Sequence, residues 1–289
     1  MRAALESRRP VVALETTLVA HGFPQGEGAA VAAEAERRVR VAWAVPATIG
    51  LLDGRICVGL EERDLERFAS APEARKVGPR DLAACAVSGE IGATTVGGTL
   101  AVCRAAGIGF MGTGGLGGVH RGFGETLDIS ADLGELARTE ALVVASGAKS
   151  ILDVEATAEV LESLGIPVLG WRTDELPLFY RAGGGPPVSQ RVKSPQEAAQ
   201  IAQFHWRLGR HSAIVLARPP DESLDVDALV EEGLAEAAAR RVRGPALTPF
   251  LLAYLHEASG GATVEVNKKL VIENAALAAE VAVAYSRLD

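Results

Sequence analysis

The 289-residue chain has few aromatic residues, few cysteines and no long hydrophobic run. Aromatics make up 4% of the sequence, and no stretch reaches the length of a membrane span. Cys57, Cys85 and Cys103 have no CxxC spacing, and the last two fall in apolar segments, which predicts small buried thiols in a reducing compartment. The first ten residues lack the apolar region of a signal peptide. The sequence therefore predicts a cytoplasmic protein with no membrane partner.

Positive charge is also scarce. The formal net charge is −8, the pI is about 5.3, and no block rich in Lys and Arg appears. This balance argues against a general surface for nucleic acid polymers. Lysine in particular is rare, with five lysines among 29 basic residues.

Short apolar strands alternate with amphipathic helices along the chain. The predicted strands are 11–17, 46–49, 55–58, 93–96, 108–112, 142–145, 168–171 and 213–216. The predicted helices are 29–42, 60–74, 100–106, 151–164, 195–208, 226–242, 249–258 and 267–287, with another starting at Pro79. This alternation predicts an α/β fold with three layers, in which a mixed, largely parallel sheet lies between helices. No repeat or clear linker appears, which favours a single domain over residues 1–289.

Lys149 follows the apolar segment 141–148, where the strand passes through Gly147 toward a helix. Most basic residues of the chain are Arg, but the basic residue at the end of this buried strand is Lys. An amine there can lose its proton by desolvation and act as a nucleophile, which Arg cannot do. The alternative is a lysine whose stem reaches past the strand end to water.

Glu15 lies within another apolar strand. Burial would raise its pKa toward the range of a general acid, whereas pairing with an arginine from a helix is the structural alternative. Glu15, Gly112 and Lys149 all fall at the carboxyl ends of predicted strands. Because ligands gather at those ends in such sheets, the three positions predict one shared site.

Three further segments carry candidate binding groups. The glycine-rich run 111–122 contains His120 and Arg121 and lacks a Walker lysine pattern. Asp128, Ser130 and Asp132 can hold a divalent cation, or Ser130 can cap a helix that has Asp132 in its first turn. Residues 93–99 can hold a phosphate at a helix start, or form a β-branched strand entering that helix.

Taken together, these segments resemble the pseudouridine-5′-phosphate glycosidase family, also called indigoidine synthase A-like. The matching strings run in order over nearly the whole chain: Ala13-Leu14-Glu15-Thr16-Thr17, Val45-Pro46-Ala47-Thr48-Ile49, Lys76-Val77, Arg80-Asp81-Leu82, Gly92-Ala93-Thr94-Thr95-Val96, Gly117-Gly118-Val119-His120-Arg121-Gly122, Asp128-Ile129-Ser130-Ala131-Asp132-Leu133, Lys149-Ser150-Ile151-Leu152-Asp153, Thr173-Asp174-Glu175, Thr248-Pro249-Phe250 and Glu273-Asn274-Ala275.

The resemblance implies reversible cleavage of pseudouridine 5′-phosphate at its C–C glycosidic bond, giving uracil and ribose 5-phosphate. It also implies a divalent metal, usually Mn²⁺, and a homotrimer. By motif, Lys149 would be the covalent nucleophile and Glu15 the proton donor. The other implied roles are substrate contact by Lys76, Thr95, Val96, Ser130, Ala131 and Asp132, metal binding by Asp128, and assistance by His120 and Asn274.

The chain departs from the family pattern at Thr16, where the family usually has Ser, and at Phe23-Pro24-Gln25-Gly26, Arg218 and Glu273. These departures leave the proposed catalytic residues in place. Two other functions remain open at this point. One is an imine-forming aldolase or lyase that acts on another sugar phosphate through Lys149. The other is a non-catalytic nucleotide-binding protein that kept the pocket.

Overall fold

The structure is a computed structural model that describes residues 1–242 and 247–288. The side chains of Thr248 and Pro249 also lie outside the described part, and with them most of the Thr248-Pro249-Phe250 motif.

Ten strands of the described residues form one sheet. The strands of the chain are β1 (Val11–Glu15), β2 (Val45–Leu52), β3 (Arg55–Val58), β4 (Arg75–Val77), β5 (Gly92–Thr94), β6 (Phe110–Gly112), β7 (Val119–His120), β8 (Leu142–Ala145), β9 (Leu152–Asp153), β10 (Val168–Trp171), β11 (Gln190–Val192) and β12 (Ile214–Ala217). Strands β7 and β9 pair separately, and the main sheet has the order β11-β10-β12-β8-β6-β1-β2-β5-β4, with β3 paired to β2.

Neighbouring strands in this order are parallel, except that β2 and β5 are antiparallel and β3 forms an antiparallel hairpin with β2. The mixed, largely parallel sheet predicted from the sequence is therefore confirmed. The hairpin turn lies at Asp53 and Gly54, since Leu52 pairs with Arg55 across them. Both turn residues have positive φ, at 52° and 73°, as a tight hairpin turn requires.

The helices are α1 (Arg2–Glu6), α2 (Thr17–His21), α3 (Glu27–Val41), α4 (Glu62–Ala69), α5 (Leu82–Ser88), α6 (Val96–Ala106), α7 (Phe123–Thr126), α8 (Ala131–Leu136), α9 (Val154–Ser163), α10 (Pro195–Arg207), α11 (Asp227–Ala239), α12 (Leu247–Ala258) and α13 (Ala262–Tyr285). A 3-10 turn at Pro79–Asp81 precedes α5. No helix in the described part of the chain has both the length and the apolarity needed to cross a membrane.

Helices cover both faces of the sheet. Val143 and Ala145 of β8 pack with α6, α8 and α9 on one face, whereas Leu142 and Val144 pack with α3, α10 and α13 on the other. Successive strand residues point to opposite faces, so the continuously apolar β8 supplies both cores. The three-layer α/β/α prediction is confirmed.

Several element boundaries differ from the predictions for local reasons. The predicted strand 93–96 ends at Thr94, because the side chain of Thr95 accepts a hydrogen bond from Gly98 N and begins α6. The predicted helix 60–74 spans only Glu62–Ala69, and β4 begins after an intervening turn, at Arg75. The predicted helix 151–164 starts at Val154, because Asp153 caps it by accepting from Ala156 N at 3.0 Å.

The length of β2 brings β5 to the carboxyl end of β1. Glu15 pairs with Ile49, and β2 continues three residues farther, to Leu52. Strand β5 runs back along this extension, with Gly92 beside Leu51 and Ala93 beside Gly50. The carboxyl end of β5, and with it the start of α6, therefore lies close to the carboxyl end of β1.

Candidate active site

A cleft of about 1040 Å³ opens at the carboxyl ends of the strands. Ten of the eleven predicted site residues line it: Glu15, Lys76, Thr95, Val96, His120, Asp128, Ser130, Ala131, Asp132 and Lys149. Asn274 is fully buried and does not line the cleft. Segments that are distant in the sequence are thus brought together into one site.

Glu15 ends β1 as a buried carboxyl group, with only 6% of its surface exposed. Burial raises the pKa of Glu15 to about 7, and the nearby charge of Lys149 only partly opposes this effect. The Thr113 hydroxyl donates a hydrogen bond to Oε1 of Glu15, which also favours the carboxylate. No arginine pairs with Glu15 within the described residues. A carboxyl group that titrates near neutral pH can both give and take a proton under ordinary conditions.

Lys149 projects from the loop that follows β8. Its backbone N–H donates to Leu116 O at 3.2 Å, and its carbonyl accepts from Leu152 N at 2.9 Å. Gly147 has φ +77°, and a Cβ there would lie 1.9 Å from Pro177 O, so only glycine fits this turn. The loop therefore holds the backbone of Lys149 while its half-buried side chain lines the cleft.

Lys76 is a second amine in the same cleft, at the end strand of the sheet. Burial lowers the pKa of Lys76 most, and the positive charge of Lys149 lowers it further. The opposing effects come from the negative charges of Asp132, Glu15 and Asp128. The cleft is therefore a compact electrostatic unit in which each ionisation affects the others.

His120 and Asp128 lie next to each other in the lining of the cleft. The His120 N–H donates to Asp128 O at 3.1 Å, which ties the two residues at the backbone. Desolvation lowers the pKa of His120, as do Lys76 and Lys149, whereas Asp128 opposes this shift. The imidazole is thereby favoured in its neutral form at neutral pH.

Asp128 is the cleft residue best suited to a hard cation. Its carboxylate accepts no hydrogen bond from the described residues. Within residues 1–242 and 247–288, no three side chains of His, Cys, Asp or Glu converge as a preformed metal cage. A single carboxylate fits an ion that keeps most of its water or takes oxygen ligands from a phosphate.

Asp132 and Ser130 sit at the start of α8. Ser130 caps this helix, since its Oγ accepts from Asp132 N at 3.2 Å, as the capping interpretation of the sequence predicts. The carboxylate oxygens of Asp132 accept from Gly97 N at 2.7 Å and from Gly117 N at 2.9 Å. The side chain of Asp132 therefore joins the start of α6 to the glycine-rich loop.

Asn274 connects the loops that follow β6 and β8. From α13, its Nδ2 donates to Thr113 O at 2.7 Å, to Gly114 O at 3.3 Å and to Ser146 Oγ at 3.1 Å. The first loop carries the hydroxyl that contacts Glu15, and the second leads to Lys149. Asn274 thus acts behind the site, where it holds two of the loops that build it.

Replacing Asn274 by Ala should lower the free energy of unfolding by about 2–3 kcal/mol, because Thr113 O loses its buried donor and Ser146 Oγ loses another. Asn267→Ala is the matched control, since Asn267 is buried on the same helix and donates one 3.4 Å bond to Gly22 O. We expect the control to lose about 1 kcal/mol. Urea unfolding measures both, and equal losses would contradict the role of Asn274.

The departures from the family pattern have structural partners of their own. The Thr16 hydroxyl donates to Ile49 O at 2.8 Å and accepts from Thr94 N at 2.9 Å, so it ties β5 to β2 beside Glu15. Glu273 pairs with Arg38 of α3 at 2.9 Å. Arg218 pairs with Asp221 at 2.8 Å, and Phe23 packs against the core around α3 and α13.

The sequence interpretation missed Thr113, the residue that contacts Glu15 directly. Thr113 is fully buried and follows Gly112 at the end of β6, which is the strand next to β1. Its position after a strand predicted to end at the site was the available signal. A threonine in a glycine-rich run gave no sign by itself that its hydroxyl would face a carboxyl group.

Comparisons with known proteins agree with this geometry. The family described as "Indigoidine synthase A like protein" matches residues 1–284. The pseudouridine-5′-phosphate glycosidase of Herpetosiphon aurantiacus is 45% identical over 289 residues, covering 98% of this chain and 95% of that protein. The protein of the same name from Salinispora tropica is 47% identical over 287 residues, covering 97% and 89%.

Two solved structures share the fold. The crystal structure of the prealnumycin C-glycosynthase AlnA in complex with ribulose 5-phosphate superposes with a TM-score of 0.90 at 40% identity, covering 98% of this chain and 94% of that one. An indigoidine synthase A-like protein from Thermotoga maritima superposes with a TM-score of 0.89 at 37% identity, covering 96% and 94%. The chain therefore belongs to the indigoidine synthase A-like family, as its sequence motifs predict.

Proposed function

We propose that this protein reversibly cleaves the C–C glycosidic bond of pseudouridine 5′-phosphate to give uracil and ribose 5-phosphate. The observation that carries the proposal is one cleft that contains a lysine amine, Lys149, and a carboxyl group with a pKa of about 7, Glu15. The full-length relatives named pseudouridine-5′-phosphate glycosidase support the same reaction. A structural relative that is a C-glycosynthase, solved with a pentulose phosphate, supports the substrate class.

The chemistry explains why both groups are needed. The neutral Lys149 amine attacks C1′ of the ribose and forms a C–N bond, while the bond from C1′ to the ring oxygen breaks and Glu15 gives that oxygen a proton. The nitrogen bound to C1′ gives up a proton to water and so regains its lone pair. That lone pair then forms a protonated imine with C1′ as the bond to C5 of uracil breaks, and C5 takes up a proton. Water hydrolyses the imine, which releases ribose 5-phosphate and restores Lys149.

The remaining cleft residues would hold and orient the substrate. Lys76 supplies a cation for an anionic substrate, and Ser130, Ala131, Thr95 and Val96 line the cleft beside it. His120, which also lines the cleft, would assist, and Asn274 would assist by holding the loops that carry Thr113 and Lys149. Fixed donors of this kind favour the transition state because they need no reorganisation during the reaction.

A divalent cation, Mn²⁺ or a similar ion, is part of the proposal. Asp128 would hold it, since among the described carboxylates that line the cleft its carboxylate is the one without a hydrogen-bond or ion-pair partner in the protein. Such an ion neutralises negative charge on substrate oxygens when it is bound.

We also infer that residues 1–289 act as one domain, because α13 packs against β1 at the other end of the chain. Three unpaired cysteines support a cytoplasmic location. The homotrimer that the resemblance implies stays a prediction, and light scattering would measure it.

The direct test is incubation with pseudouridine 5′-phosphate and Mn²⁺, followed by chromatography for free uracil. Uracil that disappears when a chelator is added would support the reaction and its metal. Release of a product from other sugar phosphates, with none from pseudouridine 5′-phosphate, would favour the aldolase or lyase alternative. Binding without turnover would favour a nucleotide-binding protein.

Replacing Thr113 by Val should move the high-pH limb of the kcat/KM profile upward by about one pH unit. Glu15 gives a proton, so the rate falls as the pH passes its pKa. The Thr113 hydrogen bond lowers the pKa of Glu15, and its loss raises that pKa. Thr113→Ser should keep the wild-type limb, and so should Thr99→Val, whose hydroxyl donates to Thr94 Oγ1 instead. An unmoved limb in Thr113→Val would contradict the role of this hydroxyl.

A further inference from the structure

Asp132 lines the cleft, and the family resemblance implies that it contacts substrate. Its hydrogen bonds support a different role. We propose that Asp132 is a positioning residue whose carboxylate is an internal anion that holds the start of α6 against the glycine-rich loop. The two segments that it joins adjoin Glu15 and Lys149, so the role of Asp132 is to fix the frame in which they act.

Both oxygens of the carboxylate are engaged by backbone donors. Oδ1 accepts from Gly97 N at 2.7 Å, and Oδ2 accepts from Gly117 N at 2.9 Å. Gly97 lies in the first turn of the eleven-residue α6, where N–H groups have no partner within the helix and anions are favoured. Asp132 itself is only 5% exposed. A carboxylate that is buried and has both oxygens bonded to backbone N–H groups is suited to a supporting role, with little of its surface left for a ligand.

The packing around the carboxylate leaves no room for a side chain at Gly117 and little room at Gly97. A Cβ on Gly117 would lie 2.2 Å from Ser130 Oγ and 2.6 Å from Asp132 Oδ2. A Cβ on Gly97 would lie 3.0 Å from Asp132 Oδ1. The absence of side chains at both glycines is what lets the two backbone segments approach the same carboxylate.

The joined segments lead directly to the reacting groups. Leu116, the neighbour of Gly117, accepts a hydrogen bond from Lys149 N at 3.2 Å. The start of α6 follows Thr94, whose hydroxyl donates to Ile49 O at 2.7 Å, and Ile49 is the strand partner of Glu15. Without the carboxylate, the start of α6 and the glycine-rich loop would no longer be held together. Both segments adjoin the two reacting groups, Glu15 and Lys149.

The charge of Asp132 also reaches Glu15. The groups that act on the pKa of Glu15 are Lys149, Thr113, Asp132 and Lys76, and among them Asp132 raises it. Removing that charge while keeping the shape of the side chain should therefore lower the pKa of Glu15. This effect gives a readout that loss of packing alone would not produce.

The first test is the melting temperature of the substrate-free protein. Asp132→Ala leaves two backbone N–H groups without acceptors, and we expect a loss of roughly 5 °C. Formate at about 100 mM should restore at least half of the lost melting temperature, compared with chloride at equal ionic strength. The reason is that the carboxylate of formate fits the position left by the Asp132 side chain. Asp128→Ala is the matched control from the same cleft, since no backbone donor loses a partner. It should show neither the loss nor the formate response.

The second test uses Asp132→Asn, which keeps the shape if the alanine variant does not fold. The high-pH limb of its kcat/KM profile should move downward, opposite to the shift expected for Thr113→Val. The pH profile rests on the proposed function, whereas the melting temperature needs no turnover. The two measurements can therefore fail separately. A raised KM with unchanged melting temperature and unchanged pH limb would overturn the proposal in favour of substrate contact. A melting loss that formate does not relieve would overturn it as well.

Discussion

Lys149→Ala should release uracil from pseudouridine 5′-phosphate at least about 10⁴-fold more slowly than the unsubstituted protein. The variant keeps the cleft but has no amine to form the bond to C1′. Without that bond the glycosidic carbon lacks the nitrogen lone pair that lets the C–C bond break. Uracil chromatography under saturating substrate and Mn²⁺ measures the effect.

The fold should survive this substitution, because the loop is held by the backbone of Lys149 and by Gly147 rather than by the ammonium group. Lys193→Ala is the matched control, since Lys193 is exposed and does not line the cleft. It should keep full activity. A rate of uracil release by Lys149→Ala within tenfold of the unsubstituted protein would contradict the covalent mechanism.

Glu15→Gln should lower kcat/KM by about 10²–10⁴-fold, because the amide keeps the shape of the carboxyl group but cannot donate its proton to the ring oxygen. The remaining contacts of the cleft stay in place, so substrate binding should change little. Steady-state kinetics with wild type, Glu15→Gln and Glu15→Asp separate proton donation from binding. A variant that keeps wild-type kcat would show that another group donates the proton.

The same substitution should change how stability depends on pH. The folded protein raises the pKa of Glu15 from 4.5 to about 7, so between these values the folded state binds more protons than the unfolded state. Glu15 therefore destabilises the fold progressively as the pH rises through this window. Glu15→Gln removes that penalty, and its free energy of unfolding relative to wild type should rise by on the order of 3 kcal/mol between pH 4.5 and 8.

Denaturant unfolding of both proteins at several pH values measures this difference, in which the other titrating groups largely cancel. The effect is independent of substrate and metal. A difference that stays constant from pH 4.5 to 8 would mean that Glu15 ionises normally in the folded protein, and the proton-donor role would lose its physical basis.

The sequence was a good guide to the layers and to the residues of the cleft. A continuously apolar strand such as β8 needs burial on both faces, and the alternation of strands with helices indicated that helices cover them, which is why the three-layer fold was predictable. Lys149 and Glu15 were identifiable because charged groups stand out in apolar strands. The remaining cleft residues came from motif resemblance, since Val96 and Ala131 carry no chemical signal of their own.

The contacts that tune the site were not predictable. Strand β5 pairs antiparallel with the last residues of β2. This pairing depends on the length of β2, which is longer than its predicted range. The hydrogen bond from Thr113 to Glu15 joins residues 98 positions apart, and the bond from Gly97 to Asp132 spans 35. Such contacts follow from the folded geometry, and local sequence patterns do not encode them.

The most direct test of the account is to trap the covalent intermediate. Wild-type protein incubated with ribose 5-phosphate and borohydride should gain the mass of one reduced ribose 5-phosphate, and peptide mass spectrometry should place it on Lys149. Lys149→Ala should gain nothing, whereas Lys193→Ala should be labelled like the wild type. An adduct on Lys76, or turnover of pseudouridine 5′-phosphate with no adduct on any lysine, would contradict the assignment of Lys149 as the nucleophile.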